Sequence, residues 1–500
     1  MNNKVKVLLD LKPTFDGYAG IPQETRLLFR GLRSMDGCEI DGLIQHGGRA
    51  LRSGVQTNKR ISHSKRINRL SRMIVSVYEK PYRNLFETIL EIISSEASRS
   101  MLRLRAVMGR SVKLSVFDAT HFEDFIWRTF FNKTLVAEDK KLVTSAKFRV
   151  LNVSRNILHK VGIAGLRYSS NPSYVKLDTK GYDYFLAQTP FPGRVAKETK
   201  LLIRYHDAVP VFYPHTISDK AFHQASHFHA LQSNVKSGAW FVCVSEATRK
   251  DLIKIFPEVE SRSSVIHNIV SNEYYNEDSP KELVYQIIRN RLSGLENLKT
   301  STKDVNFDSE QIRGNEFNYI LMVSTLEPRK NHELLLNAWE RLKYTTMPKL
   351  KLVVVGGVGW DSGPILQAFR PWAERGELFH LNDVHAAELR ILYKHAQATI
   401  CPSLAEGFDY SGIEAMRSGS IVIASDLPVH REIYANAAEY FDPYSTEDAI
   451  AVMQRVLSTE MDYLRDWLQT QARAVSENYL PENILPKWES LFLDMENAKQ

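Results

Sequence analysis

Residues 319–355 read YILMVSTLEPRKNHELLLNAWERLKYTTMPKLKLVVV. Short apolar runs stand at both ends, and between them apolar side chains recur with the period of an amphipathic helix. This order predicts a strand, a crossover helix and a second strand parallel to the first. The stretch decides the fold class, because parallel strands joined by helices occur almost only in α/β domains with helices on both faces of the sheet.

The same alternation continues on both sides of this stretch. Toward the C-terminus, PILQAFRPWAE at 364–374 has a helical pattern, and ATICPS at 398–403 has the pattern of a buried strand. In the first half, VKVLLDL at 5–11 and LLIRYH at 201–206 are typical of buried strands, and residues 22–34 are typical of a helix. Each half is therefore predicted to be an α/β domain of its own.

Two segments interrupt the alternation. Residues from about 48 to 180 look helical and basic, and we interpret them as an insertion in an N-terminal domain of residues 1–275. Residues 276–316 begin with a helical pattern and become polar, which is the composition of an interdomain linker. The C-terminal domain is then predicted to span residues 317–478, and a last helix follows over 479–500.

The composition is that of an ordinary globular protein. Of 500 residues, 43% are hydrophobic and 25% are charged, which is enough for two cores. Cys38, Cys243 and Cys401 are far apart in sequence, which argues against a disulfide framework and against a structural zinc site. No cleavage site follows the short N-terminal apolar run, and polar residues interrupt every apolar stretch. We therefore expect a cytoplasmic protein without a signal peptide or a membrane span.

The formal net charge of +7 is unevenly distributed. The segment Arg49–Arg72 contains no Asp or Glu and leads into the apolar Met73. Such a run is typical of a solvated basic insertion, and it also suits an anionic lipid surface at the inner face of the plasma membrane. A nucleic-acid partner is not expected. The cations of this run are Arg49, Arg52, Lys59, Arg60, Lys65, Arg66, Arg69 and Arg72.

A loop with functional residue types follows the predicted strand ATICPS. It reads AEGFDYSGIEAMRSG, residues 405–419, with Glu406 in the loop and Glu414 near the start of the next helix. Ligands bind beyond the carboxyl ends of parallel strands, so both carboxylates can accept hydrogen bonds from sugar hydroxyls. Gly407 and Gly412 let the backbone approach a ligand, and the unpaired N–H groups of the helix start can bind phosphate. The loop therefore predicts a sugar-nucleotide site.

A second loop, TLEPRKN at 325–331, joins another strand to a helix. It places Thr325, Arg329 and Lys330 where two cations and a helix N-terminus can neutralise a diphosphate leaving group. The pattern Asp-x-Asp, with which many sugar-nucleotide enzymes hold a divalent metal, is absent from the sequence. We therefore predict a metal-independent reaction without a cofactor.

The loop after the first strand is rich in glycine. Gly17 and Gly20 can let backbone amides face the cleft opposite Lys330. Neither this loop nor GGVGWDSG at 356–363 matches the Gly-x-Gly-x-x-Gly fingerprint. The sequence therefore argues against a nicotinamide-dependent oxidoreductase.

Histidines occur at two places that bear on the cleft. The strand LLIRYH ends in His206-Asp207, so His206 is predicted to project into the cleft, where it can contact the transferred sugar. His223, His227 and His229 lie on one predicted helix, with His223 and His227 on the same face. Because no carboxylate or cysteine accompanies them, we expect a polar face toward the acceptor or the solvent rather than a zinc site.

Together these motifs resemble a known family. TLEPRKN, RYHDAVP, CVSEATRKDL and the stretch at 380–433 look like the retaining glycosyltransferases of group 1, family 4, which have the GT-B fold. The resemblance is strong over most of residues 316–460, weaker over the first domain and absent over the insertion. It implies two Rossmann-like domains that face each other across a cleft, the first binding the acceptor and the second the donor. It also implies that the last helix returns to the first domain, with Trp488 packed across the hinge.

The resemblance assigns roles by motif position. It places the donor sugar on Glu406 and the ribose on Glu414, with backbone amides from Gly407 and Phe408, and the diphosphate on Lys330.

Two further positions follow less directly from the family pattern. The family's arginine usually stands where this chain has Thr325, so Arg329 is expected to substitute for it. The family's His-Asp dipeptide matches His206-Asp207, and its Gly-rich loop matches the loop that ends at Gly20. The catalytic residues implied are therefore His206, Glu406 and Lys330.

The implied reaction is transfer of a hexose from a nucleotide-diphosphate sugar with retention of configuration, by same-face attack and without a covalent enzyme intermediate. Members often build bacterial surface polysaccharides such as lipopolysaccharide on lipid carriers, so a lipid-linked saccharide is the expected acceptor. The TLEPRKN variant resembles mannosyl- and rhamnosyltransferases, which makes GDP-mannose the first candidate donor. Two alternatives stay open: a non-catalytic sugar-nucleotide-binding scaffold and a sugar-nucleotide epimerase, which needs no acceptor.

Overall fold

The computed structural model describes residues 4–18, 20–55, 61–78, 100–106, 108–167, 169–292 and 317–497. Within these ranges the strands, numbered in chain order, are β1 Val5–Asp10, β2 Cys38–Ile44, β3 Ser111–Val112, β4 Ser115–Phe117, β5 Phe148–Val150, β6 Lys176–Leu177, β7 Tyr184–Ala187, β8 Lys200–Tyr205, β9 Trp240–Cys243, β10 Ser263–Val265, β11 Tyr319–Val323, β12 Lys351–Val355, β13 Leu378–Leu381, β14 Ala398–Cys401, β15 Val422–Ser425 and β16 Ala438–Phe441. The α-helices are α1 Ile21–Ser34, α2 His63–Tyr78, α3 Glu123–Ile126, α4 Lys140–Thr144, α5 Arg155–Ala164, α6 Val209–Phe212, α7 Lys220–Lys236, α8 Glu246–Ile255, α9 Glu282–Arg291, α10 His332–Thr345, α11 Gly363–Glu374, α12 Ala386–His395, α13 Tyr410–Arg417, α14 Pro428–Tyr434, α15 Thr446–Leu457, α16 Asp462–Glu477 and α17 Pro481–Asn497. Residues 100–106 are also helical.

Eight strands form the sheet of the N-terminal half. Their order is β10-β9-β8-β7-β1-β2-β5-β4, and the described pairings are parallel except for the antiparallel pair of β4 with β5. The chain runs from β1 to β2 on one side and later continues from β7 on the other side. The direction of the connections therefore changes between β1 and β7, and open α/β sheets bind ligands at such a switch point.

Six parallel strands form the sheet of the C-terminal half. Their order is β13-β12-β11-β14-β15-β16, which is the strand order of a Rossmann fold. The switch point lies between β11 and β14, so the loops after these two strands meet at one edge of the sheet. The two loops with candidate carboxylates and cations are thereby brought together.

Both sheets are covered on both faces. Side chains alternate between two hydrophobic clusters along each central strand: Leu8 and Leu9 of β1 point to opposite sides, and Leu321 of β11 points away from Ile320 and Met322. Each such buried side chain contributes about 1.5–3 kcal/mol relative to exposure. The prediction of two Rossmann-like α/β domains across a cleft is confirmed.

The segment from about 48 to 180, predicted as an insertion, extends the first sheet. β4 and β5 lie within it, and β5 pairs in parallel with β2, with Gly42 opposite Phe148. β5 is three residues long and fully buried at Phe148, so it is too short to show a strand period in the sequence. Residues 56–60, 79–99, 107 and 168 of this segment lie outside the described residues.

Helix α2 carries much of the basic run. Leu70, Met73 and Val77 pack into the core of the first domain, while Arg69 and Arg72 are exposed. Lys59 and Arg60 of the run lie outside the described residues. None of the described helices combines the length and the apolarity that a membrane crossing requires.

The chain crosses between the domains at two places. Helix α9, in the first part of the predicted linker, buries Val284 and Ile288 in the core of the C-terminal domain. Residues 293–316 lie outside the described residues. Helix α17 packs on the N-terminal domain, where Trp488 is fully buried and its ring centroid lies 5.5 Å from the guanidinium carbon of Arg204.

Candidate active site

A cavity of about 830 Å³ lies between the carboxyl ends of the two sheets. Loops after β1, β7 and β8 form one wall, and loops after β11, β12, β13 and β14 form the other. The cavity thus lies at the switch points of both sheets. Gly412, predicted to let the backbone approach a ligand, does not line the cavity, because it packs against the Tyr434 ring instead. The other residues predicted to contact the donor contribute to the lining, namely His206, Glu406, Lys330, Gly20, Thr325, Arg329, Gly407, Phe408 and Glu414.

Glu406 is held by two cations of the cavity wall. Arg329 Nη1 donates to Glu406 Oε2 at 2.7 Å, and Lys330 Nζ donates to Glu406 Oε1 at 2.5 Å. Burial raises the pKa of Glu406, but the two cations outweigh burial and hold its pKa below the usual range. Burial lowers the pKa of Lys330, and Glu406 more than reverses this effect. Both groups are therefore charged at neutral pH.

Arg329 also contacts a second carboxylate. Its Nη2 donates to Glu327 Oε1 at 2.7 Å, and its Nη1 donates to the carbonyl oxygen of Ala405 at 2.6 Å. The positive charges of Arg329 and Lys330 therefore balance the negative charges of Glu327 and Glu406 in this part of the wall. The sequence predicts that Arg329 and Lys330 face a diphosphate, whereas here both are ion-paired, because a buried cation needs a counter-charge to offset its lost hydration.

The start of helix α13 is capped by a side chain. Asp409 Oδ1 accepts from the Ser411 backbone N–H at 3.2 Å and from its hydroxyl at 2.7 Å, and Asp409 Oδ2 lies 3.3 Å from His430 Nε2. Burial raises the pKa of Asp409, but His430 and Lys330 outweigh burial and lower it. Part of the helix start that the sequence predicts to be open for phosphate is thus occupied by a carboxylate. An Asp just before a helical run is an N-cap signal, so the sequence contained this information.

Glu414 joins the two domains. Gln23 Nε2, from the N-terminal domain, donates to Glu414 Oε1 at 2.7 Å, and the Tyr393 hydroxyl donates to Glu414 Oε2 at 3.4 Å. Burial raises the pKa of Glu414 to about 7, although these hydrogen bonds oppose the shift. No cation comparable to Lys330 appears among the described groups that shift this pKa.

This raised pKa makes stability depend on pH. The carboxyl of Glu414 has a pKa near about 4.3 in an unfolded chain and about 7 here, so the folded state holds the extra proton between these values. The stability from this group is fully present below about pH 4 and is lost as pH rises through about 7. We expect Glu414→Gln to remove this loss, so that the variant gains stability relative to the wild type between about pH 5 and about pH 8 in urea unfolding. If the difference in the free energy of unfolding between Glu414→Gln and the wild type did not change with pH, the raised pKa of Glu414 would be contradicted.

Gly407 brings the two walls into backbone contact. A Cβ atom at this position would lie 1.7 Å from the carbonyl oxygen of His206. The carbonyl oxygen of Gly407 also accepts from the Ser245 hydroxyl at 2.8 Å. Glycine is therefore the residue that lets the loop after β14 touch the loop after β8.

His206 is uncharged at neutral pH. It is 8% exposed, and burial, followed by Arg204, lowers its pKa well below the usual value, although the Gln188 backbone opposes the shift. Its Nε2 has no hydrogen-bond partner among the described residues. A neutral imidazole with a free nitrogen can exchange a hydrogen bond with a sugar hydroxyl.

The three histidines of the predicted helix separate into two groups. His223 and His227 on α7 line the cavity, whereas His229 does not. Within the part of the chain that the structure describes, no three His, Cys, Asp or Glu side chains form a group that could hold a metal ion.

The C-terminal half of the chain matches a known protein family. Residues 304–475 match the family model of the glycosyl transferases of group 1. This range contains both loops that supply Glu406, Lys330 and Arg329. The family match therefore covers most of the C-terminal domain and about a third of the chain.

Relatives and solved structures agree with this match. The chain is 26% identical over 241 residues to the O-antigen chain mannosyltransferase RfbU of Salmonella typhimurium, covering 48% of this chain and about half, 56%, of that protein. It is 24% identical over 311 residues to the O-antigen chain mannosyltransferase B of Escherichia coli, covering 61% of this chain and 72% of that protein. The structure of Anabaena HepE in complex with UDP superposes with a TM-score of 0.53 at 13% identity, over 98% of this chain and all of that one. The chain therefore has the GT-B fold.

Proposed function

We propose that this chain, whose residues 304–475 match the group 1 glycosyltransferases, transfers a hexose from a nucleotide-diphosphate sugar to a saccharide acceptor with retention of configuration. One observation carries the proposal. Residues from both domains, including His206, Lys330, Glu406 and Glu414, line a single cavity at the switch points of both sheets. A cleft that takes one substrate from each wall suits group transfer between two bound molecules.

The charged residues of the cavity have defined roles in this proposal. Lys330 and Arg329 bind the diphosphate and stabilise the negative charge that develops on it as the sugar leaves. Glu406 then exchanges its cation contacts for hydroxyl groups of the donor sugar, and Glu414 accepts from the ribose. Because both cations belong to the protein and the sequence lacks Asp-x-Asp, we propose that the reaction needs neither a metal nor another cofactor.

The transfer step needs no nucleophile from the protein. The bond between the anomeric carbon and the β-phosphate oxygen breaks, and its electron pair stays on the phosphate. The acceptor hydroxyl forms the new bond on the same face, and its proton passes to the leaving phosphate. His206 contacts the transferred sugar, while cleft closure and positioning lower the barrier.

Mannose from GDP-mannose is the first candidate donor. The matched relatives from Salmonella and Escherichia coli are O-antigen mannosyltransferases, which supports mannose and a lipid-linked saccharide acceptor in bacterial surface polysaccharide synthesis. The structural neighbour from Anabaena binds UDP, so UDP-hexoses are the competing donors. The test must therefore compare GDP-hexoses with UDP-hexoses.

The deciding experiment measures donor hydrolysis and transfer by the purified chain against a panel of GDP- and UDP-hexoses, with EDTA present. We expect one donor to be consumed despite EDTA, and we expect Glu406→Ala to abolish this activity. Consumption that requires an added metal would contradict the role of Lys330 and Arg329. Binding without turnover would favour a non-catalytic scaffold, and epimerisation without an acceptor would favour an epimerase.

Gly407→Ala tests the closed geometry of the cleft. The added methyl group would meet the backbone of His206, which no side-chain rotation can relieve, so the two walls must separate. A misplacement of about 1 Å costs about 10²-fold in rate, and we expect that loss in kcat with little change in melting temperature. Gly357→Ala is the matched control, because Gly357 also lines the cavity and a Cβ there meets nothing within 4 Å. Equal kcat values for Gly407→Ala and Gly357→Ala would show that the backbone contact between Gly407 and His206 is not needed for the reaction.

We also propose that the protein works at the cytoplasmic face of a membrane, through the basic helix α2. Its exposed face combines Arg69 and Arg72 with Val75 and Tyr78, which are 50% and 61% exposed. Cations beside apolar side chains suit an anionic lipid surface. Sedimentation with vesicles containing phosphatidylglycerol should bind the chain, and Arg69→Glu/Arg72→Glu should release it. Binding that is unchanged by this double variant would contradict the proposed surface.

A further inference from the structure

The wall formed by the N-terminal domain contains a group of polar side chains that the donor does not use. Helix α7 supplies His223 and His227 one turn apart, and Tyr205 lies at the end of β8. All three line the cavity, and the rings of Tyr205 and His227 have centroids 5.9 Å apart. His159 on α5 is buried outside the lining of the cavity.

Several of these polar atoms are buried without a partner. The hydroxyl of Tyr205, Nε2 of His227 and Nδ1 of His159 have no hydrogen-bond partner among the residues that the structure describes. Tyr205 is fully buried. An unsatisfied buried polar group costs about 1–3 kcal/mol, and native structures contain few of them. Tyr205 and His227 both line the cavity, and two such atoms on one wall indicate that the wall is built to hydrogen-bond a ligand.

Two histidines of this group, His227 and His159, are uncharged at neutral pH. Burial and the neighbouring His223 lower the pKa of His227 to about 3. Burial, Arg155, the two other histidines and Lys12 lower the pKa of His159 well below the usual value. The charge of Arg155 is offset by Asp10 at 2.7 Å. No carboxylate is among the described groups that shift either histidine, so each imidazole offers one donor and one acceptor.

The group is continuous with the reacting centre. Asp207 and Glu406 line the same cavity as Tyr205, His223 and His227. Burial raises the pKa of Asp207, while Arg329 and His223 oppose this shift. A molecule bound on Tyr205 and His227 would therefore share this cavity with the donor sugar that we propose for Glu406.

We infer that Tyr205, His223 and His227 form the subsite for a neutral saccharide residue of the acceptor. The inference rests on the proposed glycosyl transfer and names the class of molecule that receives the sugar. A sugar hydroxyl both donates and accepts, as do the neutral imidazole of His227 and the hydroxyl of Tyr205. A phosphate or carboxylate could use only the donors of these groups and would leave their acceptors without a partner.

The test separates acceptor binding from donor chemistry. Binding of octyl α-D-mannoside and of mannose 6-phosphate is measured by calorimetry for the wild type, Tyr205→Phe and His227→Phe. We expect the neutral glycoside to bind and each variant to weaken it about tenfold, because each loses one hydrogen bond. In transfer assays the KM for the glycoside should rise by the same factor, while the KM for the donor and the rate of donor hydrolysis stay within about twofold of the wild type.

His229→Phe is the matched control, since His229 lies on the same helix but does not line the cavity. It should bind the glycoside like the wild type. Tyr205→Phe keeps the ring and removes only the hydroxyl, so it remains informative if His227→Phe folds poorly. Tighter binding of mannose 6-phosphate than of the glycoside, or unchanged affinity in both variants, overturns the inference. A chain that binds the glycoside but consumes no nucleotide sugar would contradict the proposed function alone.

Discussion

Replacing Lys330 with Ala is expected to lower the rate of sugar transfer by about 10²–10³-fold, the loss typical of removing one group that stabilises transition-state charge. Lys330 is buried in the cavity wall with its Nζ 2.5 Å from Glu406 Oε1. The variant loses the cation that would meet the leaving diphosphate. It also leaves Glu406 with Arg329 alone, so more negative charge faces the donor. The measurement is kcat for donor turnover at saturating donor.

Lys343→Ala is the control for this experiment. Lys343 is as buried as Lys330 and pairs with Glu377 at 2.7 Å in the same domain, but it lies outside the cavity. Both variants lose a lysine from a buried ion pair, so a general loss of stability affects both. We expect kcat of Lys343→Ala to stay within about twofold of the wild type. A Lys330→Ala variant with equally unchanged kcat would rule out Lys330 as the group that stabilises the leaving diphosphate.

The sequence predicts that the site residues lie close together, because they are in loops that follow parallel strands. Apolar runs identify the parallel strands, and parallel strands end at one edge of the sheet. Glu406 and Lys330 are 76 positions apart, yet the loops that carry them follow β14 and β11, which are neighbours at the switch point. Local pattern plus topology is therefore enough to place them in one cavity.

The partners inside the site could not be predicted in this way. Gln23 and Glu414 are 391 positions apart and belong to different domains, and no local period links them. Whether a cation points at a ligand or at Glu406 depends on the balance between desolvation and ion pairing, which only the packed structure sets. Strand β5, between β2 and β4, was not predicted for a simpler reason, because three residues are too few to show alternation.

The second large effect is on stability and concerns the link between the last helix and the first domain. Arg204 is fully buried, and its Nε donates to Glu24 Oε1 at 3.1 Å, with Nη2 2.9 Å from the same oxygen. Its Nη1 donates to the Ile266 carbonyl oxygen and its Nη2 to Asn268 Oδ1. Its guanidinium faces the ring of Trp488 on α17. Arg204→Met leaves the carboxylate of Glu24 buried without its counter-charge, and breaking such a pair from one side costs about 3–5 kcal/mol. Urea unfolding followed by circular dichroism should show this decrease in the free energy of unfolding.

Two further variants decide whether the decrease comes from the unpaired charge. Arg66→Ala breaks the exposed pair with Asp118, whose side chains are 46% and 35% exposed, and should cost less than about 1 kcal/mol. Arg204→Met/Glu24→Gln removes both charges and should be more stable than Arg204→Met alone, because the carboxylate no longer lies buried without a cation. The Tyr410 hydroxyl, 2.9 Å from Glu24 Oε2, can still donate to the amide oxygen of the glutamine. If the double variant were less stable than the single one, the contact of Arg204 with Trp488 and the packing of α17, rather than the ion pair, would be the larger contribution.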